Sequence, residues 1–214
     1  MKRLEEASVL LVGTGGVGSW CAEALVRTGI GRLVMVDADR VCASNVNRQL
    51  MATSETLGEP KVEALARRLR EINPSANISA IAGVYSTETA GTFRMEEFEF
   101  VVDAIDSVAD KAQLIRHALM SPATTLFSSM GAARKLDPLR IRVSEFWKVH
   151  GDGLARALRN RFRKSGEFPC RKFRCVWSDE PPVAEAGTVV HVTAAFGLAL
   201  ASLVVHDIVA RPQA

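Results

Sequence analysis

Two apolar patterns alternate along the first part of the chain. Short continuous apolar runs occur at residues 8–13, 32–37, 77–82, 98–103 and 124–129. Each is bounded by glycine, proline or polar residues, as a strand is. Between them lie stretches with helical spacing. Residues 16–28 form one, closed by Gly29-Ile30-Gly31. In residues 60–72, Val62, Leu65, Ala66, Leu69 and Ile72 share a face, and Asn73-Pro74 ends it. Residues 107–120 form a third, with Pro122 beyond its end. Such alternation predicts βαβ units in a Rossmann-like, doubly wound, mostly parallel α/β sheet.

The pattern changes after Gly131. Residues 139–146 alternate, with Ile141, Val143 and Glu145 on one face, and residues 174–178 read as a further strand before Pro181-Pro182. These are expected as antiparallel strands added to the sheet edge. Residues 154–164 form a basic amphipathic helix. Residues 187–210 are apolar-rich, but the uncharged stretch 192–205 is only 14 residues long, short of the ~20 that cross a bilayer. It is expected as a buried C-terminal helix, with no membrane partner. The whole chain, 1–214, is expected to be a single domain, with a nucleotide-binding half in 1–135 and edge strands, basic helix and C-terminal helix in 136–214.

Composition narrows the class. With 214 residues, 48% hydrophobic and 24% charged, the chain is neither disordered, fibrous nor a small disulfide scaffold. A net charge of +3 is too small to diagnose a nucleic-acid partner. Cys21, Cys42, Cys170 and Cys175 include no C-x-x-C pair, so a zinc ribbon is not expected. Nothing before Ser8 reads as a signal peptide. Free thiols in the cytoplasm are the expectation.

Gly13-Thr14-Gly15-Gly16-Val17-Gly18 is G-x-G-x-x-G between a strand and a helix. Glycines let the backbone approach a phosphate, and the helix N-terminus supplies amide donors. Asp37 ends the second strand 19 residues after Gly18, where a ribose-binding carboxylate belongs. These features alone favour NAD. Others do not: Asp39, the polar cluster Asn45-Val46-Asn47-Arg48-Gln49, Lys61 opening the next helix, and Asp106 beyond the fourth strand. Hydride transfer needs no cations beside the phosphates. Nucleotidyl transfer does, because negative charge grows on the α-phosphate and the departing pyrophosphate. Arg48 and Lys61 can neutralise it, and Asp106 can hold Mg²⁺.

The runs GTGGVGSW, DADRVCASNVNRQ, Lys61 and DAIDSVADK resemble the E1-like adenylyltransferase superfamily of ubiquitin-activating, ThiF and MoeB-type enzymes. Within it, GTGGVGSWCAEALVRTGIG, NVNRQL, REINP, AIDSVADKAQLI, LARALRNRFRKSG, RCVWSDEPP and GLALASLVVHDIV resemble the tRNA threonylcarbamoyladenosine dehydratase family. The resemblance implies that Gly15 and Gly16 approach the ATP phosphates and Asp37 takes the ribose hydroxyls. It implies that Asn45, Arg48, Gln49 and Lys61 hold the triphosphate, with Arg48 and Lys61 nearest the reacting phosphorus, and that Asp106 binds Mg²⁺. Gly13, Gly18, Asp39, Asn47, Ser107 and Lys111 complete the implied nucleotide set. The implied reaction activates the threonylcarbamoyl carboxylate on a tRNA adenosine as an acyl-adenylate and then closes a ring with loss of water. Relatives pair as homodimers.

The sequence departs from these families in three places, one of them a segment between Pro182 and Thr188 that is shortened relative to the dehydratase pattern. Members carry an arginine well upstream of the glycine loop, which reaches ATP in the partner subunit. Lys2 and Arg3 lie too close to Ser8 to match it, so this arginine is expected to be missing or to lie beyond the start of the chain. The C-x-x-C pairs of the sulfur-carrier adenylyltransferases are also absent. Activation of a ubiquitin-like sulfur-carrier protein therefore ranks second, and a non-catalytic nucleotide-binding partner protein third.

Residues 156–174 hold eight Lys/Arg against one acid, Glu167. Arg156, Arg159 and Arg163, with Lys164, are expected to face outward and meet tRNA phosphates, opposite Leu154, Leu158 and Phe162. Cys175 follows this segment, but intramolecular ring closure needs no cysteine. His117, His191 and His206 have no ligand spacing and read as packing or surface residues. The sequence does not place His150.

Overall fold

The structure is a computed structural model that describes residues 2–185 and 187–211. A short helix α1 (Lys2–Glu6) precedes β1 (Ser8–Val12), α2 (Gly18–Thr28), β2 (Arg32–Val36), α3 (Lys61–Ile72) and β3 (Asn77–Ile81). Then come β4 (Phe100–Asp103), α4 (Val108–Met120) and β5 (Thr125–Ser129). The rest is β6 (Ile141–Glu145), α5 (Gly153–Ser165), β7 (Arg174–Ser178) and α6 (Val190–Ala210). The seven strands lie in the order β3-β2-β1-β4-β5-β7-β6. All neighbours are parallel except β6 and β7. One edge expectation is corrected. Only β6 is antiparallel, because β7 inserts between it and β5 and runs parallel to β5. Val143 on β6 is half-exposed, since the outermost strand has no helix over it.

Both sheet faces are covered, which is why the central strands read as unbroken apolar runs. On β1, Val9 and Leu11 join one core with α2, α3 and α6, while Leu10 and Val12 join the other with α4 and α5. Phe100 and Val102 on β4 split from Val101 in the same way. Gly29 closes α2 in the left-handed region at φ 99°. The Asp152 side chain starts α5 by accepting the Ala155 N–H at 2.8 Å.

Helix α6 is 21 residues long and apolar enough to span a bilayer by length and composition. It packs instead across α2. Val192, Phe196, Leu200, Ala201, Val204 and Ile208 are buried in the core. At Gly197 the two helices approach so closely that a Cβ would lie 2.4 Å from the Val17 carbonyl oxygen. The unforeseen α1 is tied to the far end of α6 by Arg3, which donates to the Ile208 and Arg211 carbonyls.

The chain winds from β1 outward through β2 to β3, then returns across to β4. That reversal opens a crevice between the carboxyl ends of β1 and β4, where open α/β sheets bind ligands.

Candidate functional site

The crevice is a cavity of about 660 Å³ at that switch point. Its floor is the turn from β1 into α2. Two of the glycines there are required by packing. Gly13 has φ +91°, and a Cβ on it would lie 2.7 Å from the Ala104 carbonyl oxygen, the turn after β4. A Cβ on Gly18 would lie 1.8 Å from the Gly13 oxygen. Gly15 and Gly16 line the cavity, as Gly13 also does. At Gly15 the nearest atom to an added Cβ is Gln49 Nε2 at 3.7 Å.

One wall carries Asp37, Ala38, Asp39 and Lys61. Asp37 is oriented by three donors: the Thr14 N–H at 2.7 Å, the Thr14 hydroxyl at 3.0 Å and the Asp39 N–H at 2.9 Å. Asp39 in turn holds the Lys61 ammonium at 2.6 Å. The Lys61 side chain is only 6% exposed, so the salt bridge fixes a cation at the cavity surface. Beside it stand Asn45, Arg48 and Gln49. The Asn45 side chain accepts the Cys42 N–H and shapes the turn. Arg48 folds back, donating to the Ser44 carbonyl at 2.8 Å and to Asn47 at 2.9 Å. Gln49 Oε1 is buried without a partner, so this amide oxygen is satisfied only by something entering the cavity or by water.

The opposite rim is the turn from β4 into α4. Asp106 and Asp110 both line the cavity, one helical turn apart, and neither forms an ion pair among the described residues. A Mg²⁺ ion takes one or two carboxylates and completes its shell with phosphate oxygens and water, so this rim fits it. Among the described residues no three His, Cys, Asp or Glu side chains form a complete metal site.

Four of the implied nucleotide ligands do not line the cavity. Lys111 is fully buried behind the rim, where it pairs with Asp103 at 2.8 Å and donates to the Ile105 carbonyl at 2.9 Å. Asp103 also accepts from Ser128 Oγ at 2.6 Å and the Ile105 N–H at 3.1 Å. Lys111 is therefore an internal strut for the Asp106 turn. Ser107 begins α4. Asn47 is occupied by Arg48 and by the Thr188 carbonyl. Gly18 packs as described above.

Several lining residues were not anticipated. Asp110 could have been read from its spacing to Asp106. Tyr85, from the loop after β3, and Thr188 and Thr193, at the start of α6, also line the cavity, yet no local pattern marks them. Tyr85 donates or accepts a 2.8 Å hydrogen bond with His117 Nδ1. Burial pushes the tyrosine hydroxyl up, helped by Asp103, and pulls the His117 imidazole down against the opposing pull of Glu96.

The basic segment is less uniform than its sequence implies. Arg159 is not an outward-facing ligand: its guanidinium lies over the Phe146 ring and donates to the Val149 carbonyl at 2.8 Å. Arg171 caps the Leu119, Ser121 and Thr124 carbonyls, and Arg174 pairs with Asp207. Arg156, Arg163 and Lys164 are exposed on α5, whose first turn places Leu154 at the cavity. The four cysteines are free thiols. Burial pushes the Cys175 and Cys21 thiols well above their ordinary range, which removes both as nucleophiles at neutral pH. His150 sits edge-on to Trp177 and does not line the cavity.

Comparison with known proteins agrees with this fold. The chain is 39% identical over 183 residues to the tRNA threonylcarbamoyladenosine dehydratase of Bacillus subtilis (strain 168), covering 86% of this chain and 71% of that protein. The structure of E. coli tRNA N6-threonylcarbamoyladenosine dehydratase in complex with AMP superposes with a TM-score of 0.92 at 35% identity, covering 98% of this chain and 88% of that one. The same enzyme in complex with ATP gives 0.91 at 34% identity, with the same coverage. Residues 1–213 match the ThiF family model. This seven-stranded sheet, with its glycine turn opening on Arg48, Lys61 and Asp106, belongs to the ThiF family.

Proposed function

We propose that the chain is an ATP-dependent tRNA threonylcarbamoyladenosine dehydratase. It works as one ATP-binding domain, with residues 1–135 holding the nucleotide and 136–214 serving the acyl and RNA side. The observation that carries this reading is the convergence of Gly15, Gly16, Arg48, Lys61 and Asp106 on a single cavity. In the first step an oxygen of the threonylcarbamoyl carboxylate attacks the α-phosphorus of ATP, and pyrophosphate leaves. In the second, a nitrogen or oxygen within the same group attacks the acyl carbon and loses its proton. The ring closes, and AMP departs with the former carboxylate oxygen. Adenylation is needed because a carboxylate oxygen is a poor leaving group.

The residues divide this work. Gly15 and Gly16 let the backbone approach the phosphates. Asp37, pre-aimed by Thr14, takes the ribose hydroxyls. Lys61, held by Asp39, meets the charge that grows on the α-phosphate. Arg48 exchanges its contacts to Ser44 and Asn47 for the triphosphate, and Gln49 gains a partner for its buried oxygen. Asp106 and Asp110 would hold Mg²⁺, which when bound supplies positive charge to the phosphate oxygens. Four free thiols suit the reducing cytoplasm. Leu198 and Val209 on α6 are 50% and 65% exposed and suit a homodimer; light scattering that shows only monomer would refute that part.

The test supplies ATP and Mg²⁺ with threonylcarbamoylated tRNA, unmodified tRNA or a sulfur-carrier protein ending in Gly-Gly. Pyrophosphate release, with a nucleoside lighter by one water, is expected only with the first. Release with the carrier protein alone overturns the reading. Asp106→Asn should keep the wild-type melting temperature and slow the reaction on the order of 100-fold; an unchanged rate removes Asp106 from the mechanism.

A further inference from the structure

We propose that Trp147 and Phe168 form a base-stacking platform for an unpaired segment of the RNA substrate, an inference that rests on the tRNA reading above. Their ring centroids are 6.2 Å apart, and the residues are 40% and 52% exposed. Trp147 stands on a buried aromatic pedestal, and Phe168 packs against Trp147. Trp147 meets Phe146 edge-on at 5.0 Å, and Phe146 stacks on Phe173 at 5.0 Å and receives the edge of Phe162 at 6.0 Å. Arg159 locks this arrangement, because its guanidinium covers Phe146 and ties down the Val149 carbonyl. Trp147 is therefore presented on packed structure, as a stacking surface requires, and the loop residue Phe168 flanks its ring.

The rim favours RNA over an apolar protein partner. Lys148 adjoins Trp147, Lys164 lies in the last turn of α5 just ahead of Phe168, and Lys172 precedes Phe173 of the pedestal; all three are exposed. Of the two acids nearby, Glu167 is paired with Arg116 and Glu145 is partly buried beneath Trp147's turn, away from the cationic rim. Aromatic faces among cations bind unstacked bases and their phosphates together. The placement also fits the reaction. Leu154 in the first turn of α5 lines the cavity, and Phe168 follows the last turn. A 13-residue helix spans about 20 Å at its ordinary rise. Nucleotides flanking the reacting adenosine can thus run along α5 to the platform.

The experiment titrates fluorescently labelled tRNA, and a short single-stranded RNA, with the wild type and with the Trp147→Ala/Phe168→Ala, Phe168→Ala and Trp147→Phe variants. ATP binding and light scattering are followed alongside. The double variant should bind both RNAs about 10- to 100-fold more weakly with the salt slope unchanged, because stacking is lost and phosphate contacts are not. Phe168→Ala, on an exposed loop, should lose part of that, and Trp147→Phe should stay within about threefold of wild type. Wild-type RNA affinity in the double variant overturns the platform. A fallen salt slope also overturns it, as does a changed oligomeric state with RNA affinity intact, which marks a protein interface. If the wild type dehydrates modified tRNA while the double variant binds normally, the platform alone fails. If the variants weaken RNA binding and the wild type does not dehydrate modified tRNA, the proposed reaction alone fails.

Discussion

Lys111 separates a strut from a nucleotide ligand, and the structure fixes what its removal should cost. Both Lys111 and Asp103 have fully buried side chains. In Lys111→Met the Asp103 carboxylate keeps only two neutral donors, Ser128 and the Ile105 N–H, and the Ile105 carbonyl loses its ammonium. Removing one partner of a buried pair costs about 3–5 kcal/mol, most of it from the charge left behind. For a chain of this size each kcal/mol lowers Tm by roughly 2–4 °C, so melting should fall by about 6–20 °C. The double variant Asp103→Asn/Lys111→Met removes the stranded charge and should lose less than Lys111→Met alone, a coupling that a double-mutant cycle resolves. Urea unfolding followed by circular dichroism gives the energies, and titration with ATP gives the affinity of the folded protein. If Lys111→Met stays within about 1 kcal/mol of wild type while ATP affinity collapses, and the double variant gives no rescue, Lys111 is a nucleotide ligand and the strut argument is wrong.

Three further outcomes follow from the packing and the charges. Gly197→Ala puts a Cβ 2.4 Å from backbone oxygen of Val17, so α6 must move off α2 at about 1–3 kcal/mol; thermal melting should drop, and ATP should bind more weakly because Val17 and Thr193 both line the cavity. An unchanged Tm would refute the tight α2–α6 crossing. Replacing Arg156, Arg163 and Lys164 together by Ala should reduce the slope of log K for tRNA against log salt by up to about two to three, whereas Arg159→Ala should lower Tm instead; the reverse assignment would restore Arg159 to the RNA surface. Burial pulls His117 below its ordinary 6.5, so the unfolded chain takes up a proton that the folded chain refuses. Stability should therefore fall as pH drops through about 6.5, and His117→Gln should flatten that slope in unfolding curves between about pH 5 and 7.

The order of strands and helices through β5 was legible because each parallel strand is buried on both faces and each helix on one. Those two environments write different periods into the sequence. The direction of β7 was not legible. Arg174–Ser178 reads as a strand wherever it pairs, and only the assembled sheet shows it inserted between β5 and β6. The cavity followed the same rule. Gly15, Gly16 and Asp37 sit just beyond the carboxyl ends of β1 and β2, and Arg48 and Lys61 lie in the single connection from β2 into α3, so local motifs carry them. Thr188 and Thr193 arrive from the C-terminal helix, brought by the tight Gly197 crossing, and nothing near them in sequence announces a ligand. Lys111, a nucleotide ligand by resemblance, and Arg159, an outward cation by its helical face, both satisfy partners inside the protein: Asp103 and the Ile105 carbonyl for one, the Phe146 ring and the Val149 carbonyl for the other. A cation can neutralise growing phosphate charge only if its protein contacts leave it at a surface the phosphate reaches. Lys61 meets that condition because its partner Asp39 is itself 70% exposed, and Lys111 fails it because Asp103 is not exposed at all. The exposure of the acid, more than the spacing of the base, is what separates Lys61, which lines the cavity, from Lys111, which does not.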